Sequence, residues 1–437
     1  MVQRNQFALL ARRRFGPYFL TQFLGAFNDN VFKNALLLLL AFHAADRFAA
    51  SSDVLINLSA GLFVLPFFLF SAIAGQLADK FPKALLMRYV KLLEIVIMLA
   101  AAAALYLDLI APLIALLFLM GVQSSLFGPA KYGVLPQLAD ETELLGANAL
   151  VETSTFLAIL LGTAFGGILI GIDQTGRFWV AGAVIVIALA GYAASRAMPD
   201  VAAADPHMQI NWNPISATRE VFAGALQLRM IVVSVVGISW FWFLGSVYLA
   251  QLPNFTRLYL GGDERVVTLL LSLFSIGVGT GSLLCERLNR HRVSVALVPL
   301  GAVGLSLFGL DLALIAAPSQ TSMLGAMDWL CIAGNWRVVA DVLLLGASGG
   351  LFIVPLYTVI QHRSEPDRRA RVIAANNVLN ALFMVLAAGL AIALLGNGWS
   401  IPGLFALVAA LNTLLAAGLF ATEPEFLSGL RRWFAAS

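Results

Sequence analysis

Charge is scarce in this chain. Asp, Glu, Lys and Arg make up only 12% of its 437 residues, where an average soluble protein has about a quarter. Hydrophobic residues account for 60%, and mean hydropathy is +0.88. A water-soluble fold would have nowhere to place so much apolar surface, so the solvent of this chain is lipid. Cysteine is almost missing: Cys285 and Cys331 exclude a disulfide scaffold or a multi-cysteine metal site, and they fall on opposite membrane faces, where they cannot bridge. The four histidines, His43, His207, His291 and His362, fall in loops or at helix ends. A phosphate-binding glycine loop, zinc-ligand spacing and a nucleophile elbow are all lacking. These absences argue against an enzyme, a bound cofactor and an ATP-driven pump. Energy for any work would come from an ion gradient, Na+ or H+, or from the substrate's own gradient. A net charge of +3 is too small for a nucleic-acid binder.

What the chain has instead is long apolar runs. A helix needs about 20 such residues to cross the hydrocarbon layer. Twelve runs qualify: 17–45, 54–78, 84–107, 109–129, 144–171 and 177–197 in the first half, then 230–252, 265–285, 294–317, 338–360, 372–395 and 400–421. The expected fold is an all-α polytopic membrane protein, with twelve transmembrane helices in two pseudo-symmetric six-helix bundles. Residues 1–197 would form the N-terminal bundle, and 230–437 the C-terminal bundle with a cytoplasmic tail. Between them, 198–229 is a cytoplasmic linker. It carries Asn213-Pro214, a helix-start signal, and an amphipathic run with Ile215, Phe222 and Leu226 suited to a membrane surface. The tail, with Phe426, Leu430, Trp433 and Phe434 around Arg431-Arg432, reads the same way. Sorting Lys and Arg by segment places 21 on the N-terminal side of the membrane and 5 on the other, with Lys33 inside a span. By the positive-inside rule both termini are cytoplasmic. Arg12-Arg13-Arg14 leads into a run too long for a signal-peptide core, so no signal peptide is expected.

The halves repeat. Gly121, Leu126, Phe127, Tyr132 and Val134 recur as Gly346, Leu351, Phe352, Tyr357 and Val359, Ala147-Asn148 as Ala375-Asn376, and Gly75-x-Leu77 as Gly281-x-Leu283. Paired six-helix repeats are a transporter architecture with the site near mid-membrane. The loop after the second span, Gly75-Gln-Leu-Ala-Asp79-Lys80-Phe-Pro-Lys83, resembles the signature of the major facilitator superfamily. Its chemistry is a glycine for close approach, then an acid among bases at the mouth of a gate. Asp79 can pair with a cation or a helix N-terminus there; a positive-inside loop with a glycine turn is the plainer reading. The second-half copy runs from Gly281 to Arg292 with Cys285-Glu286 where the acid would fall.

Polar residues inside spans are costly unless they face water, substrate or one another. The first span holds Asn28, Asp29, Asn30, Lys33 and Asn34. Asp29 and Lys33 lie on one helix face, which suits a zwitterionic head group or an ion-coupling pair; a structural ion pair is the alternative. The fifth span carries Asn148 and Glu152, and its repeat partner carries Asn376, Asn377 and Asn380. That pattern points either to a central polar ring, with Glu152 responsive to a proton or cation, or to a buried clamp between halves. Glu94, three residues after Lys91, reads as a structural pair near the interface, and Asp311 as peripheral. Gly162/Gly166, Gly167/Gly171 and Gly277/Gly281 permit close helix contact. Trp240, Phe241, Trp242, Phe243 and Tyr248, with Phe63, Phe67, Phe68 and Phe70, read as packing or lipid-facing aromatics, or as an acyl-chain groove.

Three stretches carry a more specific resemblance: Thr21-Gln-Phe-Leu-Gly-Ala-Phe-Asn-Asp-Asn30, Phe127-Gly-Pro-Ala-Lys-Tyr-Gly-Val-Leu-Pro136 and Gly146-Ala-Asn-Ala-Leu-Val-Glu-Thr-Ser154. They resemble the bacterial lysophospholipid transporters of the major facilitator superfamily, most of all the transporter half of proteins fused to acyltransferase and acyl-activating domains. The resemblance implies a monomeric flippase of the bacterial inner membrane that moves lysophospholipid from the outer to the inner leaflet by alternating access, with cation coupling. It assigns Asp29 and Glu152 to the cavity and Lys131 to the loop motif. Relatives carry an arginine in the seventh span, where Phe241-Trp-Phe-Leu-Gly-Ser-Val-Tyr-Leu249 has no base; Lys33 is placed to supply that cation. The chain ends at Ser437 without an acyltransferase, so that partner would be a separate protein. The alternatives are a facilitator of another amphipathic or polar solute, such as a drug or siderophore, and a non-transporting receptor or assembly factor.

Overall fold

A computed structural model describes residues 6–43, 52–173, 175–225, 228–289, 292–315 and 323–435. Arg4, Arg47, Leu226, Arg290, His291 and residues 316–317 of the ninth run lie outside them. Twelve long helices follow the twelve apolar runs: α1 (Gly16–His43), α2 (Ser52–Lys80), α3 (Lys83–Tyr106), α4 (Ile110–Gly133), α5 (Leu144–Ile170), α6 (Gly176–Arg196), α7 (Arg229–Tyr259), α8 (Glu264–Leu288), α9 (Val298–Ala313), α10 (Asn335–Arg363), α11 (Arg369–Gly396) and α12 (Ile401–Thr422). Among the described residues, ten of these helices are long and apolar enough to cross a membrane. The other two have simple reasons. Polar residues in mid-helix lower the hydropathy of α1, and the described part of α9 is 16 residues, about 24 Å at the usual helical rise. The chain is a multi-pass membrane protein.

Several helices outrun their apolar segments. α4 passes Pro129 to Gly133 and α7 passes Pro253 to Tyr259. A proline deletes one ladder hydrogen bond, and neighbouring helices make that tolerable within a membrane. Two short helices, Leu135–Leu138 and Ala326–Leu330, were invisible in the sequence pattern. Caps fall where side-chain chemistry places them: Asp263 accepts from the amides of Arg265 and Val266 at the start of α8, and Asn213 accepts from Ile215 and Ser216 before the linker helix Pro214–Ala225.

The chain divides into two compact units. The first comprises residues 1–140, 157–227 and 363–381; the second comprises 141–156, 228–362 and 382–437. The break at 198–229 thus separates every long helix except α5 and α11, each of which gives its first half to one unit and its second half to the other. These are repeat partners, which is why the exchange is reciprocal. In the first unit, α2 packs on α4 and α3 on α6 and α4. Its apolar core includes Phe32, Leu36, Met98, Leu117, Met120 and Val184. In the second, α12 packs on α9 and α7. Trp240 of α7 stacks on Phe243 at 4.6 Å and donates its indole N–H to Asn412 of α12 at 2.8 Å. Phe156 stacks on Trp242 and meets Phe241 and Phe274 edge-on. The aromatic run of α7 is therefore largely packing.

Glycine sets the closest crossings. Gly162 and Gly166 of α5 lie against the backbone of Phe27 and Val31 in α1, and Gly277 and Gly281 of α8 lie against the backbone of α10. Gly167 instead faces Asn34 and Leu38, and Gly171 meets its own helix. The tail helix Glu425–Ala435 docks on protein along one side, burying Phe426 and donating from Trp433 to the Leu288 carbonyl at 2.7 Å, and leaves Phe434 exposed.

Candidate functional site

The polar residues of α1 belong to a buried network in the first unit. Asn28 donates to Glu94 at 2.9 Å, and Gln123 donates to the same carboxylate at 3.2 Å. Lys91 completes it with a 2.6 Å ion pair to Glu94, both side chains fully buried. Beside it, Ser124 donates to Asp29 at 2.7 Å. Lys91 and Glu94 stand about 12 and 16 Å from the start of α3 at helical rise, well inside the membrane. This corrects the interface placement drawn from sequence, and it removes Lys91 from the bases that flank the spans. The room for Lys91 comes from glycine: a Cβ at Gly25 or Gly191 would come within 2.9 Å of its ammonium. Two such charges would be prohibitive alone; paired and hydrogen-bonded, they are held.

Lys33 does not join this network. Its ammonium lies over the Phe63 ring, 5.4 Å from the centroid, and among the described residues no ion pair connects it to Asp29. Asn30 donates to the Ala26 carbonyl of its own helix, and Asn34 ties α1 to the Thr163 carbonyl of α5. Sequence reasoning missed Gln123 and Ser124. Uncharged polar residues in the middle of the fourth apolar run were the available signal.

Asn148 lies in the second unit, where it exchanges hydrogen bonds with Gln361 of α10 at 2.6 and 3.0 Å. One turn on, Thr153 donates to the Gly279 carbonyl of α8 at 3.1 Å, and Glu152 is fully buried. The first half of α5 thus joins α8 and α10. The first half of α11 joins their repeat partners, α2 and α4, within the first unit: a Cβ at Gly75 would come 2.6 Å from that of Ala374, and one at Gly128 would come 2.6 Å from Asn377 Nδ2. Asn376 and Asn380 are buried on this same half of α11. Asn148 and Glu152 belong to the second unit, and the Asp29 network belongs to the first.

At the end of α2 the acid of the signature loop does both things its chemistry allows. Asp79, fully buried, accepts from the backbone amides of Ala370 and Arg371 at 3.1 and 3.3 Å, capping α11, and from Arg371 Nε at 3.1 Å. Its own carbonyl receives the amides of Ala204 and Asp205 in the linker. Lys83 is buried against Gly133, Lys80 lies over Phe81, and Lys131 lies over Tyr132 while its carbonyl accepts from Tyr18.

A family profile of the Major Facilitator Superfamily matches residues 18–339. The chain belongs to that superfamily. It is a membrane transporter by family rather than an enzyme. The lysophospholipid transporter LplT of Salmonella typhimurium is 30% identical over 380 residues, which span 84% of this chain and 85% of the relative; that of Salmonella newport matches equally. These place the chain in the lysophospholipid transporter family. Solved major facilitators share its fold: the human organic anion transporter MFSD10 (TM-score 0.74, 14% identity, 93% of this chain and 99% of that one) and the proton:xylose symporter XylE (0.71, 12%, 98% of each). As in that superfamily, the fold has twelve membrane helices.

Proposed function

We propose that this chain moves lysophospholipids from the outer to the inner leaflet of a bacterial inner membrane by alternating access, coupled to a cation gradient. The observation that carries the reading is the polar stretch of α1, in a chain whose relatives are lysophospholipid transporters. Asp29 supplies a buried carboxylate beside Ser124, and Lys33 one turn away supplies an ammonium over an aromatic ring. A zwitterionic head group needs one anchor of each sign, set apart rather than neutralising each other. Asn30 lies on the same helix, and Asn148, Glu152, Asn376 and Asn380 are the further polar residues of this reading.

Gly75, Asp79, Lys80, Lys83 and Lys131 form the cytoplasmic gate. The Asp79 cap on α11 holds it shut, because opening must give up an ion pair and two amide bonds together. Both termini are cytoplasmic, the protein works as a monomer, and the delivered lysophospholipid is a substrate for a separate acyltransferase. The test is uptake of labelled lysophosphatidylethanolamine into proteoliposomes. Asp29→Asn and Lys33→Leu should each slow it by tenfold or more, an effect of about 1.4 kcal/mol or greater. Wild-type uptake that both variants match would contradict the site.

A further inference from the structure

A basic and apolar face lies at one end of the second unit, on the tail helix Glu425–Ala435. This helix starts just after α12 ends at Thr422, and the Phe420 and Phe426 rings meet at 5.4 Å. At its far end Trp433 donates to the carbonyl of Leu288, the last residue of α8. Midway, a Cβ at Gly429 would lie 3.5 Å from Ala296, just before α9. A helix tied to the ends of membrane helices runs along the membrane face. It packs on α9 and α12, and α9 turns Val303, Leu307 and Leu310 outward, so it follows a lipid-facing edge. Phe426, Gly429 and Trp433 form its docked stripe. Leu427, Leu430 and Phe434 form a second stripe beside it, with Leu427 42% and Phe434 60% exposed. Arg431 stands one turn from Leu427, at the margin of that stripe.

Charge is divided along this helix. The acids Glu423 and Glu425 stand at the α12 end, and Glu286 is buried in α8. The bases Arg431 and Arg432 close the helix against the end of α8, where Arg287 and Arg292 are exposed. Among the described residues, none of these arginines forms an ion pair with an acid. Unneutralised guanidinium beside exposed leucine and phenylalanine matches one ligand chemistry. A phosphodiester accepts two guanidinium N–H groups at once, and the chains below it cover apolar side chains. A zwitterionic lipid brings no net charge to balance these bases, whereas an anionic lipid does. We propose that the tail helix and the end of α8 bind an anionic phospholipid of the surrounding leaflet. Arg287 and Arg431 hold its phosphate, and Leu427 and Phe434 lie against its acyl chains. The bound lipid braces α8, α9 and α12 together, because the tail touches all three.

This binding is independent of what the transporter carries, and its test follows the tail itself. Full-length protein is placed in nanodiscs of phosphatidylcholine alone or with phosphatidylglycerol, and amide hydrogen exchange is measured over residues 426–434. Phosphatidylglycerol should slow exchange there about tenfold in wild type. Salt at about 1 M, which screens charge beyond about 3 Å, should cancel the difference. Arg287→Gln/Arg431→Gln removes two bases worth about fivefold each near an anionic surface, and should lose the slowing. Arg13→Gln/Arg219→Gln removes equal charge elsewhere and should keep it. Equal exchange of wild type in the two nanodiscs would overturn the proposal, as would full slowing in Arg287→Gln/Arg431→Gln. The salt comparison needs no variant, so it decides even where the double variant fails to fold. A second copy of the chain is the competing occupant: lipid-free dimers in detergent that Phe434→Ser disperses would also overturn it.

Discussion

Single residues carry the strongest energetic consequences where charge is buried without water. Removing one partner of the Lys91–Glu94 pair strands the other, which costs about 3–5 kcal/mol, whereas replacing both with apolar residues of similar size is often near neutral. Lys91→Met and Glu94→Met should therefore each lower the unfolding temperature of the purified protein by more than the double variant does. A double variant worse than either single would contradict the network. The pairing of Glu94 with Lys91 was legible from their three-residue spacing; its depth was not, because the bases just before it made the segment look like a flank. Asp29 and Lys33 stood out for the opposite reason, since polar residues in mid-span are costly unless they face water, substrate or one another. Asp79 belongs to this scale as well. Asp79→Asn keeps the shape but removes the charge from the hydrogen bonds, a loss of about 2 kcal/mol. Amide hydrogen exchange at Ala370 and Arg371 should accelerate by tenfold or more, and unchanged protection would refute the cap.

At the scale of helices, glycine decides which surfaces meet. Gly75→Leu would drive a side chain into Ala374 and the Ala370 carbonyl, so α11 could no longer close on α2. Uptake should fall to background, because the clash lies at the proposed gate. A variant that transports normally would show that the crossing opens without α2. The internal repeat anticipated this packing, since Gly75 and Gly281, and Asn148 and Asn376, are paired by sequence offset. What it left out was the exchange of half-helices by α5 and α11. That depends on which neighbours each half meets, and hydropathy carries no trace of it. The ends of α4 and α7 were also hidden, because proline is a stop signal in water but a tolerated residue among packed membrane helices.

For the whole molecule, the asymmetry of bases across the spans predicts its orientation. A green fluorescent protein fused after Ser437 should fluoresce, since it folds in the cytoplasm, and a periplasmic phosphatase reporter fused there should be inactive; the reverse pattern would invert the topology. With that orientation the Asp79 cap would stand at the proposed inner gate, and the Asp29 network is the proposed head-group site. The central claim is that this pathway carries lysophospholipid on Asp29. Its most direct measurement is the initial rate of labelled lysophosphatidylethanolamine entry into proteoliposomes by wild type and Asp29→Asn, with diacyl phosphatidylethanolamine as the control substrate. The account predicts rapid entry of the lysolipid with wild type, at least tenfold slower entry with Asp29→Asn, and little entry of the diacyl lipid with either. Equal rates for the two proteins, or no preference for the lysolipid, would contradict it.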